Sequence, residues 1–215
     1  YDKRVKRYVA TRHFKPVFLK PDSESYLDEL QATAETSITS HLSRLEQPPP
    51  IAVVPALKRS VDPDTLRWIL TAIRSHCGIH IEYQSFSRLD PLWRWVTPFA
   101  LGFDGFRWHA RCYCHRDKIF KDFVLARVLK TGELKHHQAN PLHDKLWHTT
   151  VMLHIGPHPE MPPSQRKAIE LDYGMTGGRL IIEVRLAVLY YFLRRYGLDR
   201  PPSTPSNEQQ IVLLN

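Results

Sequence analysis

The sequence predicts an α+β protein in which a small, strongly bent β-barrel is followed by a second α+β domain. A well-capped helix near residue 63 precedes several short segments whose apolar residues recur with period two, and tight turns separate these segments. After about residue 150 the pattern changes to strand, helix, strand, helix, strand. These observations divide the chain into residues 1–60, 61–145 and 146–215.

Residues 1–60 are predicted to form a basic helical connector that ends in an extended linker. The first twenty residues carry seven Lys or Arg side chains against the single acid Asp2. Such a segment suits a phosphate backbone, and the alternative is a solvated terminal arm. A short helix follows with Asp22 or Ser23 as its cap, and the proline-rich residues 47–55 cannot be helical. The candidate contacts to a nucleic-acid backbone are Lys3, Arg4, Lys6 and Arg7.

The helix that opens the middle domain has the clearest boundaries in the sequence. Asp62 is its expected N-cap, Pro63 lies in its first turn and Gly78 follows its end. Its apolar residues fall at i, i+3, i+4 and i+7, which predicts one stripe facing a core. They are Leu66, Ile69, Leu70 and Ile73.

Several short strands are predicted after this helix. The Asp104-Gly105 dipeptide favours a tight hairpin, and Thr131-Gly132 predicts a further turn. Short strands joined by tight turns behind a helix favour a small barrel. The predicted strands cover residues 79–87, 94–103, 106–114 and 120–130.

The last domain is predicted to be a small α+β sandwich. Two prolines precede its first helix, and its strands alternate apolar and polar residues. The predicted strands are 151–155, 179–185 and 210–214, and the predicted helices are 162–171 and 186–196.

Charge and composition favour a polyanionic partner in a reducing compartment. The formal net charge is +8 and the pI about 9.5, which favours nucleic acid before membrane. No apolar run approaches the roughly 20 residues that span a bilayer, and no signal peptide starts the chain. Cys77, Cys112 and Cys114 are odd in number and do not form a disulfide pattern, so the cytoplasm is the expected location.

The predicted barrel strands place cations and hydroxyl groups where they can meet. Along residues 106–114 one face is apolar, whereas the other carries arginine and histidine. Cations without an acidic partner would repel one another unless an anion neutralised them, and phosphate suits arginine. The alternative is a set of separate surface cations. The candidate ligand-binding residues are Tyr83, Ser85, Arg94, His109, Arg111 and Arg127.

Six motifs in one order resemble the WYL-domain transcriptional regulators of bacteria, in particular the subgroup associated with the phage-defence operons BREX and CBASS. In the middle domain they are I-E-Y-Q-S at 81–85, R-W-V-T-P-F-A-L at 94–101, D-G-F-R-W-H-A-R at 104–111 and D-F-V-L-A-R-V at 122–128. In the last domain they are P-H-P-E-M-P-P-S-Q at 157–165 and D-Y-G-M at 172–175.

This resemblance implies an Sm-like five-stranded barrel with a basic pocket for a nucleotide or single-stranded nucleic acid. It also implies a homodimer, a repressor role at a phage-defence operon, and operator binding by an N-terminal winged helix-turn-helix. Two departures stand out. The Trp-Tyr-Leu signature is replaced by Trp108-His109-Ala110, and a complete winged helix-turn-helix does not fit ahead of the linker, so we expect a fragment that retains only its last basic edge.

Two other classes of function are weaker alternatives. One is a nucleic-acid-processing enzyme or its accessory nucleic-acid-binding module. Asp172 and Glu183 do not define a nuclease site, and the sequence has no glycine-rich loop of the kind that binds phosphate. The other is a metal protein, which the twelve histidines suggest. Structural zinc sites usually have two pairs of closely spaced Cys or His ligands, and this sequence does not contain such pairs. We therefore expect neither catalysis, metal nor cofactor.

Overall fold

The structure of the protein, a computed structural model, describes residues 1–4, 6, 8–17, 22–35, 49–55, 57, 59–137 and 139–215. The chain divides into two compact units, Tyr1–Leu57 and Lys58–Asn215. The first unit contains helix α1 (Ser23–Glu35), as predicted. The predicted backbone contact Arg7 lies outside the described residues. Within those residues, no helix is both long and apolar enough to cross a membrane.

Helix α2 (Pro63–Arg74) begins the second unit and confirms the predicted cap. The Asp62 carboxylate accepts a hydrogen bond of 2.7 Å from the amide of Thr65. Its end differs from the prediction, because the left-handed residue that turns the chain is His76, with φ of 52°, and Gly78 already belongs to the next strand. A side chain on Gly78 would collide with His137, which explains the glycine there.

A five-stranded antiparallel sheet follows α2, in the order β4-β3-β2-β1-β5. The predicted single strand over 120–130 is wrong, since a 3₁₀ turn (Leu125–Arg127) carries the chain from one sheet edge to the other. The predicted turn at Thr131-Gly132 is also wrong, because both residues lie inside β5, where Thr131 pairs with Ile81 and Gly132 falls at a shift in register. The strands are β1 (Gly78–Tyr83), β2 (Leu92–Phe103), β3 (Trp108–Cys114), β4 (Ile119–Val124) and β5 (Val128–Lys135).

The first core lies between α2 and one face of this sheet. From β3 it receives Ala110, Cys112 and Cys114, all fully buried, as the alternation predicts. The three cysteines of the chain are free thiols. Burial raises the pKa of Cys112, so this thiol is an inert packing group.

The remainder of the chain confirms the predicted order of strand, helix, strand, helix, strand. Its sheet has the order β7-β6-β8, and the two longer helices pack their apolar residues on it around Leu153, Ile155 and Val184. A one-turn helix, α3 (Lys145–His148), precedes this domain and was too short to predict. The elements are β6 (Thr150–Pro157), α4 (Pro163–Asp172), β7 (Leu180–Arg185), α5 (Leu186–Arg195) and β8 (Ile211–Leu213).

Candidate anion-binding cavity and its ion pairs

A cavity of about 280 Å³ lies in the second unit, at the ends of β1, β2 and β4. We call it the Arg94 cavity. Four of its lining side chains are cationic and two are carboxylates, so its walls carry an excess of positive charge. The lining residues are Tyr83, Ser85, Ser87, Arg88, Arg94, Arg116, Asp117, Lys121, Asp122 and Phe123.

The guanidinium of Arg94 is the most deeply placed cation in this cavity. Arg94 is 7% exposed, and its Nε has no hydrogen-bond partner among the described residues. The nearest carboxylate oxygen, on Asp117, is 3.7 Å away, and this carboxylate also accepts a hydrogen bond from Lys121. The hydrogen bond from Lys121 lowers the pKa of Asp117. Arg94 therefore keeps donor capacity that the protein itself does not fill.

Two predicted ligand residues line the cavity beside Arg94. The Tyr83 hydroxyl accepts a hydrogen bond of 3.2 Å from the amide of Val124, which ties β1 to the end of β4. The Ser85 hydroxyl lies 3.1 Å from that of Ser87 at the rim. The ring centres of Tyr83 and Phe123 each lie 5.7 Å from the Arg94 guanidinium, so the cation packs against two aromatic rings that contact each other edge to face.

Arg111 does not share this cavity, although it lies on the same sheet. Its Nε and Nη2 donate to the two oxygens of Asp144 at 2.6 and 3.0 Å, and its Nη1 donates to Asp122 at 3.1 Å. Burial alone would lower the pKa of Arg111, but the two carboxylates outweigh it and raise the pKa. The expectation that the cations of this strand lack acidic partners is therefore wrong.

His109 is likewise held by a carboxylate of the protein. Its Nε2 lies 2.9 Å from Asp104, and its ring lies 4.7 Å from that of Tyr191 on α5. Burial alone would raise the pKa of Asp104, but hydrogen bonds from His109, from the amides of Phe106 and Arg107, and from the Arg107 side chain lower it to about 2. The second face of β3 is thus covered by ion pairs and by the C-terminal domain.

The structure consequently brings together three of the six predicted ligand residues, Tyr83, Ser85 and Arg94. The guanidinium of Arg127, the remaining one, lies over the ring of Phe86 at 3.7 Å. Arg127 is the last residue of the 3₁₀ turn, which the sequence did not reveal.

Several cavity residues were missed by the sequence reasoning. Arg116 and Asp117 lie in the turn between β3 and β4. The position of this turn could have been predicted by placing Arg111 opposite Asp122 on the two strands, as they are in the structure. Opposite charges on facing residues are a usable signal for strand register. Asp144 had no such signal, because it lies 33 residues from its partner. In the described part of the chain, no three His, Cys, Asp or Glu side chains are placed to hold a metal ion.

Two protein-family models match this architecture. The WYL domain matches residues 64–131, and the BrxR transcriptional regulator, C-terminal dimerization domain, matches residues 150–215. Their combination on one chain defines the class of WYL-domain transcriptional regulators.

Curated relatives narrow the class further. The DNA-binding transcriptional repressors CapW of Pseudomonas aeruginosa, Stenotrophomonas maltophilia and Escherichia coli (strain KTE188) are 39%, 36% and 34% identical to this chain. Each alignment covers 100% of this chain and 72% of the relative. The chain belongs to the CapW family of transcriptional repressors. Among solved structures, the proteasome accessory factor B/C of Arthrobacter aurescens is similar to this chain, with a TM-score of 0.32 and 21% sequence identity. The match covers 74% of this chain and 26% of the chain of that protein.

Proposed function

We propose that this chain is the ligand-sensing and dimerising part of a DNA-binding transcriptional repressor that controls a phage-defence operon. The family matches and the CapW relatives support regulation rather than catalysis. We assign residues 1–60 to the connector toward the DNA-binding region, 61–145 to the sensing domain and 146–215 to the dimerising domain. The two family matches fall inside the last two ranges.

The ligand we propose for the Arg94 cavity is a nucleotide or a short single strand of nucleic acid, bound through phosphate. The observation that carries this proposal is the buried Arg94 guanidinium with an unfilled Nε in a cavity of excess positive charge. A planar guanidinium matches phosphate oxygens with paired hydrogen bonds, and burial strengthens the attraction because water is excluded. Arg88 and Arg116 at the rim add positive charge, and neither forms an ion pair with a carboxylate of the described residues.

The predicted residues divide into two roles in this proposal. Tyr83, Ser85 and Arg94 contact the ligand, whereas His109 and Arg111 support the sheet from its other face. We propose Arg127 as a rim residue, because it stacks on Phe86 next to Ser85. Lys3, Arg4 and Lys6, together with Arg7, are proposed to follow the backbone of operator DNA.

Signalling would proceed by linkage between ligand and operator. A ligand that binds one arrangement of a homodimer more tightly shifts the population toward it, and operator affinity changes by the ratio of ligand affinities. We also propose that the five-stranded sheet closes into the Sm-like barrel, since its two edge strands are joined by the short 3₁₀ turn. No cofactor enters this mechanism.

The proposal is tested by titrating the protein with fluorescent mononucleotides and short single strands at several salt concentrations. We expect Arg94→Gln to weaken binding by about tenfold or more, the equivalent of a lost charge-assisted hydrogen bond. Arg94→Lys should weaken it also, because an ammonium keeps the charge but lacks the fork. Thermal unfolding checks that each variant is folded.

Arg166→Gln is the matched control, because Arg166 is exposed on α4, away from the cavity residues. The rim variant Arg88→Gln/Arg116→Gln changes only exposed side chains and so tests the cavity without touching the core. The proposal fails if neither ligand class binds. It also fails if the rim and Arg94 variants bind as tightly as Arg166→Gln.

A further inference from the structure

We infer that the chain has a second nucleic-acid site, a groove at the end of α5 that binds single-stranded nucleic acid. Two cavities, of about 340 and 490 Å³, share the lining residues Arg194 and Arg195, so they adjoin each other. The first opens toward the loop between β2 and β3, and the second toward the segment before β8. We call the pair the α5 groove. Among the described residues, its lining set shares no member with the Arg94 cavity.

Arginine side chains line both halves of the α5 groove. Arg195 and Arg200 have no ion pair with any carboxylate of the described residues, and Arg194 reaches only the partly exposed Asp199, at 3.7 Å. Arg107 is bound to Asp104 at 2.9 Å. Arg195, which has no carboxylate partner among the described residues, thus lies at the centre of the groove, where a phosphate would touch both cavities.

Exposed aromatic rings accompany these arginines. Phe106, Tyr190 and Tyr196 are 62%, 60% and 44% exposed. The Arg195 guanidinium lies 5.7 Å from the ring centres of Phe106 and Tyr196, and Arg194 lies 5.8 Å from that of Tyr190. Cationic grooves with aromatic platforms are how proteins bind single strands without reading their sequence, because every base has a face that stacks.

The loop between β2 and β3 is shaped to admit Arg195. Gly105 has φ of 92°, and a Cβ at this position would collide with the Arg195 guanidinium. The Asp104 carboxylate fixes the same loop by accepting hydrogen bonds of 2.8 Å from the amides of Phe106 and Arg107. The Phe106 ring therefore faces the groove from a loop held by hydrogen bonds, and the Arg195 cation faces it from the end of α5.

The arrangement favours a single strand over a duplex or a mononucleotide. In a duplex the base faces are stacked on one another and cannot reach Phe106, Tyr190 or Tyr196. A mononucleotide would occupy one cavity and leave the other cations unused. The alternative is that Arg194 and Arg195 only offset the partial negative charge at the C-terminal end of α5.

The experiment measures binding of a fluorescent oligothymidylate, a duplex of equal length and a mononucleotide to the whole chain. We expect Arg194→Gln/Arg195→Gln to weaken oligothymidylate binding by about tenfold and to make the dependence on salt shallower, because fewer counterions are released. Tyr190→Leu should weaken it by roughly fivefold or more through lost stacking. Arg166→Gln, on the exposed face of α4, should leave affinity and salt dependence unchanged.

Arg94→Gln separates this inference from the proposed function. If the α5 groove variants lose oligothymidylate while Arg94→Gln loses only the mononucleotide, both sites stand. If the groove variants bind like Arg166→Gln, or lose only thermal stability, the groove inference is wrong whatever the Arg94 cavity does. It is equally wrong if the duplex binds as well as the single strand, or if sedimentation shows that the groove variants no longer dimerise, because the surface is then a subunit interface.

Discussion

Arg111 on β3 and Asp144 just before α3 form a buried two-point ion pair, with hydrogen bonds of 2.6 and 3.0 Å. Both side chains are almost completely removed from water. Asp144 also accepts a hydrogen bond from the amide of Trp147 and so caps α3. One carboxylate thereby anchors the five-stranded sheet to the segment that leads into the C-terminal domain.

We predict that Asp144→Asn destabilises the protein by about 3 kcal/mol, because it removes the charge that compensates a buried guanidinium. Asp122 would remain as the only carboxylate on Arg111 among the described residues. Chemical denaturation followed by circular dichroism measures the change in the free energy of unfolding.

Asp64→Asn is the control for that substitution. It breaks the exposed pair with Arg67 on α2 and should change stability by about 0–1 kcal/mol. Equal effects of the two substitutions would show that burial of the Arg111–Asp144 pair does not matter for stability.

We predict that Tyr191→Phe weakens the attachment of α5 to the five-stranded sheet by about 1.5 kcal/mol. The Tyr191 hydroxyl donates a hydrogen bond of 3.2 Å to Asp122, and a hydrogen bond to a charged acceptor is worth more than a neutral one. Burial and the neighbouring Asp122 carboxylate raise the pKa of Tyr191, so the hydroxyl stays protonated as a donor. The free energy of unfolding in urea is the measurement.

Tyr190→Phe provides the comparison, since among the described residues the Tyr190 hydroxyl accepts a hydrogen bond only from the exposed Arg194. We expect it to change stability by no more than about 0.5 kcal/mol. A larger loss for Tyr190→Phe than for Tyr191→Phe would contradict the assigned role of Asp122.

We predict that the stability of the protein decreases as the pH falls below about 6.5, in part because of His115. Burial, and then the nearby His137, lower the pKa of His115 from its usual 6.5. The unfolded chain therefore takes up a proton at a pH where the folded protein does not, so stability is fully present above the unfolded pKa and decreases toward the folded one. The ring centres of the two histidines are 4.6 Å apart, and Thr97 lies 2.8 Å from His115 Nε2.

The pH effect is measured by urea unfolding between about pH 5 and 8, where histidine titrates. His115→Gln should show a shallower dependence on pH than the unsubstituted protein, since its amide does not titrate. Parallel curves for the two proteins would assign the pH dependence to the other histidines.

Local sequence determined the elements of this protein because their causes are local. Asp62 and Pro63 start α2 by hydrogen bonding and restricted φ, and the alternation in β3 selects Ala110, Cys112 and Cys114 for the core. The same alternation predicted Arg111 on the other face. Where a boundary depends on a distant strand, as at Thr131-Gly132, local turn propensity gave the wrong answer.

Only the tertiary structure decided what the charged residues do. Arg94 and Arg111 have the same side chain on neighbouring strands, yet they differ in their partners. Arg94 lines a cavity and its Nε has no hydrogen-bond partner among the described residues, whereas Arg111 is bound by Asp122 and Asp144. Electrostatic energy depends on distance and on exclusion from water, and neither follows from spacing along the chain. Asp144 reaches Arg111 across 33 residues because the chain folds back there, which no local pattern encodes.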